Sequence, residues 1–311
     1  MPFDLDKACK FCGSNSLGTF EATERMFGMG GSFHYSECLD CKSIQLDEIP
    51  QNLGDYYLSS GYYSFLPLVQ SGFARRLFKQ IRMNLLKTTK AKVFEPGIYA
   101  HWLKKINPPF DAKIADVGCG NGQLLYEMYA SGYTDLHGFD PFLEHDKKIN
   151  SHLHLWKKQL EESSNSFDLI MMHHAFEHME SPMEALQACF DKLNPGGKLL
   201  IRTPVTDAAI WKEKRQFWVQ LDAPRHLIIP SVAGFDILSK TLGFNLEEVL
   251  FDATGFQFWG TGLYEQGFTL DHKQMNERYS QQELAVFEKK ALQYNKEGKG
   301  DQVCFFLTKP D

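Results

Sequence analysis

The chain has 311 residues, 43% of them apolar and 14% aromatic, enough for one large domain and a smaller one. A net charge of −6 argues against a general nucleic-acid binder, which carries a strong basic face, so nucleic acid is not the expected partner. No run of about 18 apolar residues exists, so no membrane span is expected; an N-terminus without a basic-then-apolar leader, with seven cysteines, points to reduced thiols in the cytoplasm.

Cys9-x-x-Cys12 and Cys38-x-x-Cys41 stand near the start of the chain. Two such pairs supply four thiolates in a tetrahedron, the ligand set of a structural zinc ion with no position left open for water. Short β-like runs, Leu17 to Glu21 and Ser32 to Tyr35, flank Gly28, Gly30 and Gly31 and fit a two-hairpin ribbon over 1–49. A redox pair or scattered reduced thiols are the alternatives. So small a segment cannot build a core, and bound metal would be its main stabiliser.

Residues 50–110 read as a helical connector or lid. Tyr56, Tyr57, Tyr62 and Tyr63 bracket Ser59-Ser60-Gly61 and could close over a site. Ala74 to Lys92 reads as a basic helix with Arg75, Arg76, Lys79, Arg82, Lys87, Lys90 and Lys92. Phe73, Leu77, Phe78, Ile81 and Leu85 repeat at helical spacing and leave the charges as a solvated face. The alternative is a face that holds the phosphate of a nucleotide sugar or of RNA.

From 111 to 311 strand and helix alternate, the sign of a parallel sheet covered on both faces. Strands are expected near 113–118, 135–140, 151–155, 167–172, 197–203, 245–251 and 302–308. Helices are expected near 121–131, 142–149, 182–193, 231–242 and 280–297. Insertions near 204–230 and 253–297 break the alternation, and long loops of this kind commonly carry the substrate.

Within Lys113 to Tyr126, K-I-A-D-V-G-C-G-N-G-Q-L-L-Y, an apolar run ends in Gly118, Gly120 and Gly122, and a helix pattern follows at once. Strand, glycine turn and helix bring backbone close to a nucleotide-like ligand. Asp116 lies two residues before the first glycine. Asp140 closes the next apolar run, where a carboxylate can accept both hydroxyls of a ribose.

D-V-G-C-G-N-G, Asp140-Pro141, F-D-L-I-M-M-H-H-A-F-E-H (Phe167 to His178) and L-N-P-G-G-K-L-L-I (Leu193 to Ile201) together resemble the class I S-adenosylmethionine (SAM) methyltransferases. The resemblance runs from roughly Ile98 to Phe251. It implies an α/β fold, a Rossmann-like seven-stranded, mostly parallel sheet with helices on both faces, beside the small N-terminal zinc ribbon. It implies SAM as cofactor. Gly118, Cys119 (through its backbone), Gly120 and Gly122 would give room for its amino-acid end. Asp140 and Pro141 would meet the ribose, and His173 the methionine portion. Asp116 would brace the loop or reach the amino group through water.

The motif C-x-x-C-G … C-x-x-C-x-x-x-Q-L, Cys9 to Gly13 and Cys38 to Leu46, looks like that of the nucleotide-sugar C-methyltransferases, although some ribosomal RNA methyltransferases also carry a ribbon. His226, in D-A-P-R-H-L, is similar to a catalytic histidine of that branch, with Arg225 in place of its Glu. His178, closing H-H-A-F-E-H, is the other candidate base. An Arg225–His226 pair could grip a phosphate or carboxylate while the histidine accepts a proton. The expected acceptor is therefore a small molecule, a sugar or nucleotide-linked sugar. The alternatives are an RNA methyltransferase whose ribbon holds RNA, and a non-catalytic SAM-binding scaffold. The oligomeric state stays open.

Overall fold

A computed structural model describes residues 8–57, 67–95 and 100–311. Tyr62 and Tyr63, with Ser59-Ser60-Gly61, lie outside the described residues. The chain begins with strands β1 (Leu17–Thr23), β2 (Ser32–Cys38) and β3 (Ile44–Leu46), then helices α1 (Phe73–Thr89) and α2 (Ala100–Ile106). Next come β4 (Lys113–Val117), α3 (Gln123–Ala130), β5 (Asp135–Phe139), β6 (Lys147–Lys148), β7 (Leu153–Trp156) and β8 (Phe167–His173). They are followed by α4 (Pro182–Lys192), β9 (Leu193–Pro204), α5 (Ala209–Lys214), β10 (Ile228–Ile229), α6 (Val232–Thr241) and β11 (Asn245–Phe251). Helices α7 (Phe256–Glu265), α8 (His272–Arg278) and α9 (Gln281–Lys296) precede the last strand, β12 (Gln302–Thr308).

Two units divide these elements. One comprises Met1–Gly61, His174–Leu186 and Ile201–Phe305; the other Tyr62–His173, Gln187–Leu200 and Phe306–Asp311. Strands β9 and β12 contribute to both.

The second unit carries the parallel sheet, in the order β12-β9-β8-β4-β5-β7-β6. Strand β4 pairs in parallel with β5 and β8, and β5 with β7. These central strands are buried along nearly their whole length, including Ile114, Ala115, Leu136, Leu153 and Leu169 to Met172. Burial on both faces is why they read as apolar runs rather than alternations. All seven expected strands are present.

Residues 142–149 do not form the expected helix. They make a turn and the two-residue edge strand β6, antiparallel to β7. The segment offers few apolar side chains to bury, and its polar groups serve the turn: Phe142 N–H donates to Asp140 (2.9 Å) and Lys157 N–H to Asp146 (2.7 Å).

Helix α1 also departs from expectation. Lys79, read as part of a solvated face, is 8% exposed, beside Met83 and Leu86 at 1%, whereas Phe73 and Phe78 are 76% and 62% exposed. The reason is the neighbouring α3. Its Glu127 takes the Lys79 ammonium at 2.5 Å, and its Tyr129 hydroxyl accepts from Arg76 at 2.9 Å, so the basic side turns inward.

In the first unit β1, β2 and β3 form an antiparallel sheet whose fourth strand is β10, with Ile228 opposite Gln45 and Ile229 opposite Ile44. The 204–230 insertion thus supplies an edge to the cysteine-bearing segment. Tyr35, Ile44, Leu46, Trp211, Trp218, Leu227 and Ile229 share one buried cluster. That unit also holds β11 beside β12, and β12 beside the end of β9.

Candidate active site

In the second unit, parallel pairing puts Asp116 of β4 opposite Gly138 of β5 and Met171 of β8. Beyond Val117 the chain folds back over the end of β5: Gly118 and Cys119 N–H both donate to the Phe139 carbonyl, at 2.8 and 3.3 Å. Gly118, Gly120 and Gly122 take φ of +73°, +52° and +79°, the left-handed region that favours glycine. Gly122 leads directly into α3. Gly138 was not singled out in the sequence, yet a Cβ there would lie 2.6 Å from Cys119 Sγ and 2.7 Å from Leu155. Only a glycine lets the loop rest on β5. Its signal was a glycine inside an apolar strand, which marks a close backbone approach.

Asp140 stands at the tip of β5. Its Oδ2 accepts from Gly120 N–H and its Oδ1 from Phe142 N–H, both at 2.9 Å. The carboxylate is thereby aimed, and each oxygen retains a lone pair for a ribose hydroxyl. Asp116 is 3% exposed, and burial, helped by the Asp140 charge, pushes its carboxyl up to about 8. Burial also pushes the Cys119 thiol well up, so it is an unreactive packing group. Pro141 opens the exposed turn after β5. The His173 ring lies 4.7 Å from that of Trp102. A turn of left-handed glycines, a helix N-terminus and an oriented carboxylate suit a nucleoside carrying an amino-acid tail.

In the first unit the chain past β8 turns through a short 3-10 helix, Phe176–His178. His178 Nδ1 is 2.8 Å from the Arg225 carbonyl and 3.1 Å from the Tyr57 hydroxyl, which itself donates to that carbonyl at 3.2 Å. His226 Nδ1 is 2.7 Å from the Gln220 carbonyl. The two rings meet edge to face, 4.9 Å between centroids. Burial, then the His178 charge, pushes His226 down to about 4, so it is neutral at pH 7.

Arg225 is not available to grip an acceptor. Its side chain is wholly buried and donates to Asp222 (2.6 Å), Glu24 (2.9 Å) and the Tyr56 carbonyl (3.2 Å). Arg225 therefore holds the 222–226 turn.

Two further residues join the histidines that spacing alone did not mark. Glu177, fully buried, accepts from Thr203 Oγ1 at 2.9 Å and contacts His174 Nδ1 at 3.0 Å. Burial opposes its ionisation, but the His174 hydrogen bond together with the charges of His174, His226 and His178 outweighs it and holds the carboxyl at about 2. Arg202 donates to His174 Nε2 at 2.9 Å and to Asp252 at 2.6 Å.

The four N-terminal cysteines converge. Cys9 and Cys41 sulfurs are 3.5 Å apart, Cys12 and Cys38 sulfurs 3.6 Å, and all four ligand atoms lie within 4.8 Å of one another. A tetrahedral ion with metal–sulfur bonds of about 2.3 Å needs sulfur–sulfur edges of about 3.8 Å, so the set fits one. A hydrogen bond from Cys9 lowers the Cys41 thiol to about 5, while the same bond, then burial, raises Cys9.

The glycine turn between a parallel strand and a helix, with an acid at the next strand tip, defines a class I SAM-dependent methyltransferase. Residues 73–249 match the family model of the methyltransferase domain, and the chain belongs to that family. Among curated proteins it is 32% identical over 162 residues to the tRNA U34 carboxymethyltransferase of Helicobacter pylori (strain G27), covering 48% of this chain and 62% of that one. The namesakes of Helicobacter acinonychis (strain Sheeba), 34% over 157 residues, and Azotobacter vinelandii (strain DJ / ATCC BAA-1303), 29% over 164, match over 45% of this chain and 58% and 49% of theirs. The chain thus spans about half to three fifths of these relatives' length. Among solved structures it is similar to the cyclopropane synthase MmaA2 from Mycobacterium tuberculosis, with 17% identity, 75% of this chain and 98% of that one covered, and a TM-score of 0.43.

These relatives overturn two expectations. The sugar-type small-molecule acceptor conflicts with proteins named for tRNA, and so does the exclusion of nucleic acid as partner. A net charge sums the whole surface and does not describe a local one, which is why it misled. No helix among the described residues is long and apolar enough to cross a membrane.

Proposed function

We propose that this SAM-dependent methyltransferase modifies RNA, with tRNA as first candidate acceptor and the cytoplasm as its place of work. The observation that carries the reading is the 29–34% identity to enzymes named for tRNA. Bound SAM supplies an electrophilic sulfonium methyl for in-line displacement. The chain's task is to hold, aim and deprotonate. The backbone of Gly118 to Gly122 would cradle the amino-acid end, Asp140 the ribose hydroxyls, and Pro141 would turn the chain away from them. His173 would lie beside the methionine portion, and Asp116, kept neutral by burial, would brace the loop. His226, with Nδ1 committed to a carbonyl, has Nε2 free to take a proton, and His178 is the alternate base. Cys9, Cys12, Cys38 and Cys41 would hold a structural zinc ion.

The test incubates the chain with labelled SAM and either total tRNA or a metabolite pool enriched in nucleotide sugars, followed by mass analysis of digested nucleosides. Label in tRNA is expected. Label in the metabolites alone, or in neither, would overturn the RNA reading.

A further inference from the structure

Glu177, which converges with His178 and His226, is wholly buried, and the nearby Arg225 guanidinium is committed to Asp222 and Glu24 rather than to it. The Arg202 charge is matched by Asp252 at 2.6 Å. A guanidinium can only donate, so the 2.9 Å contact with Arg202 makes His174 Nε2 an acceptor and leaves Nδ1–H to donate to Glu177. A carboxylate with no exposure is costly unless it is paired or coordinates a metal.

The same logic fixes the other two rings. A carbonyl oxygen can only accept, so His178 Nδ1–H donates to Arg225 O and His226 Nδ1–H to Gln220 O. Both Nε2 atoms are left as the nitrogens able to coordinate. An imidazole whose outer nitrogen is tied to a backbone carbonyl is the usual form of a metal-bound histidine. One ligand atom from each of Glu177, His178 and His226 lies within 4.8 Å of the others. Thr203 and His174 would be the outer partners of the carboxylate, as Arg225 O and Gln220 O are of the rings.

We infer that Glu177, His178 and His226 form a second metal site, for a divalent first-row transition cation bound by two imidazole nitrogens and one carboxylate oxygen. Three protein ligands leave positions open, as in sites that bind and polarise an oxygen ligand rather than merely stabilise a fold. The inference uses the same Nε2 lone pairs as the proposed base, so a bound cation would take the place of that role; it stands on metal binding and can fail or succeed whatever the acceptor.

Cobalt(II) titration of the full chain separates the two sites. Cobalt on the four cysteines gives intense thiolate charge-transfer absorption; cobalt on the histidines and Glu177 gives only weak d–d bands. Two bound equivalents are expected, the second lost in His178→Ala and in His226→Ala while the thiolate bands persist and report an intact fold. Only one equivalent, on the cysteines, would overturn the site. So would a second equivalent that survives both substitutions, or a protonated His178–His226 pair seen by 15N NMR in metal-loaded protein at neutral pH.

Discussion

Asp140 illustrates how one residue carries two tasks. Its oxygens are held by Gly120 and Phe142 N–H, so it orders the glycine loop and offers lone pairs outward. Asp140→Ala removes both, and SAM affinity measured by calorimetry should fall by about tenfold or more, since a charge-assisted hydrogen bond is worth about 1.5–3 kcal/mol. Unchanged affinity would remove Asp140 from the ribose. Asp301 is a different case, far in sequence from either motif. It is 2% exposed, accepts from Trp218 Nε1 at 3.1 Å, and burial pushes it up to about 7 despite that bond. Because the folded chain holds this proton more tightly than the unfolded one, the contribution of Asp301 to stability is greatest below about pH 4. That contribution declines as pH rises to about 7, on the order of 4 kcal/mol. Asp301→Asn keeps an acceptor for Trp218 and should flatten the melting temperature between pH 5 and 8. An unaltered slope would show that Asp301 is not the group responsible.

At the scale of elements, α1 shows a helix turned over by its neighbour. Lys79 is committed to Glu127, whereas Arg75 and Lys90 are exposed. Lys79→Met should therefore cost about 1–3 kcal/mol in denaturant unfolding, because it takes the ammonium away from the half-buried Glu127 carboxylate. Arg75→Glu with Lys90→Glu should leave unfolding unchanged but weaken tRNA binding and shallow its salt dependence. Equal binding at low salt would place the RNA elsewhere. The exposed Phe73 and Phe78 beside these charges offer rings on which bases can stack. Strand β10 shows a similar long-range effect: Ile228 and Ile229 read as part of an irregular insertion, but they complete the sheet that carries the cysteines.

For the whole molecule, the metal prediction comes first. The cysteine segment joins a core with Trp211 and Trp218, so it is not stabilised by metal alone. Elemental analysis should find about one thiolate-bound zinc per chain, and Cys38→Ser should release it and lower the melting temperature without abolishing folding. Full stability with no metal in wild type would refute the ribbon. Sequence alone determined the sheet strands, since strands buried on both faces are written as apolar runs. It determined the glycine loop and Asp140, whose residues are near neighbours along the chain. It determined the cysteine pairs, because a C-x-x-C turn is local. Only the tertiary structure decided which face of α1 is buried, that Arg225 serves Glu24 and Asp222 rather than an acceptor, and that Glu177 and His174 stand beside His178 and His226. Glu24 and Arg225 are about 200 residues apart, and Thr203 and Glu177 belong to different elements. Side chains so separated meet only through the packing of intervening elements, and no periodicity or spacing records that meeting.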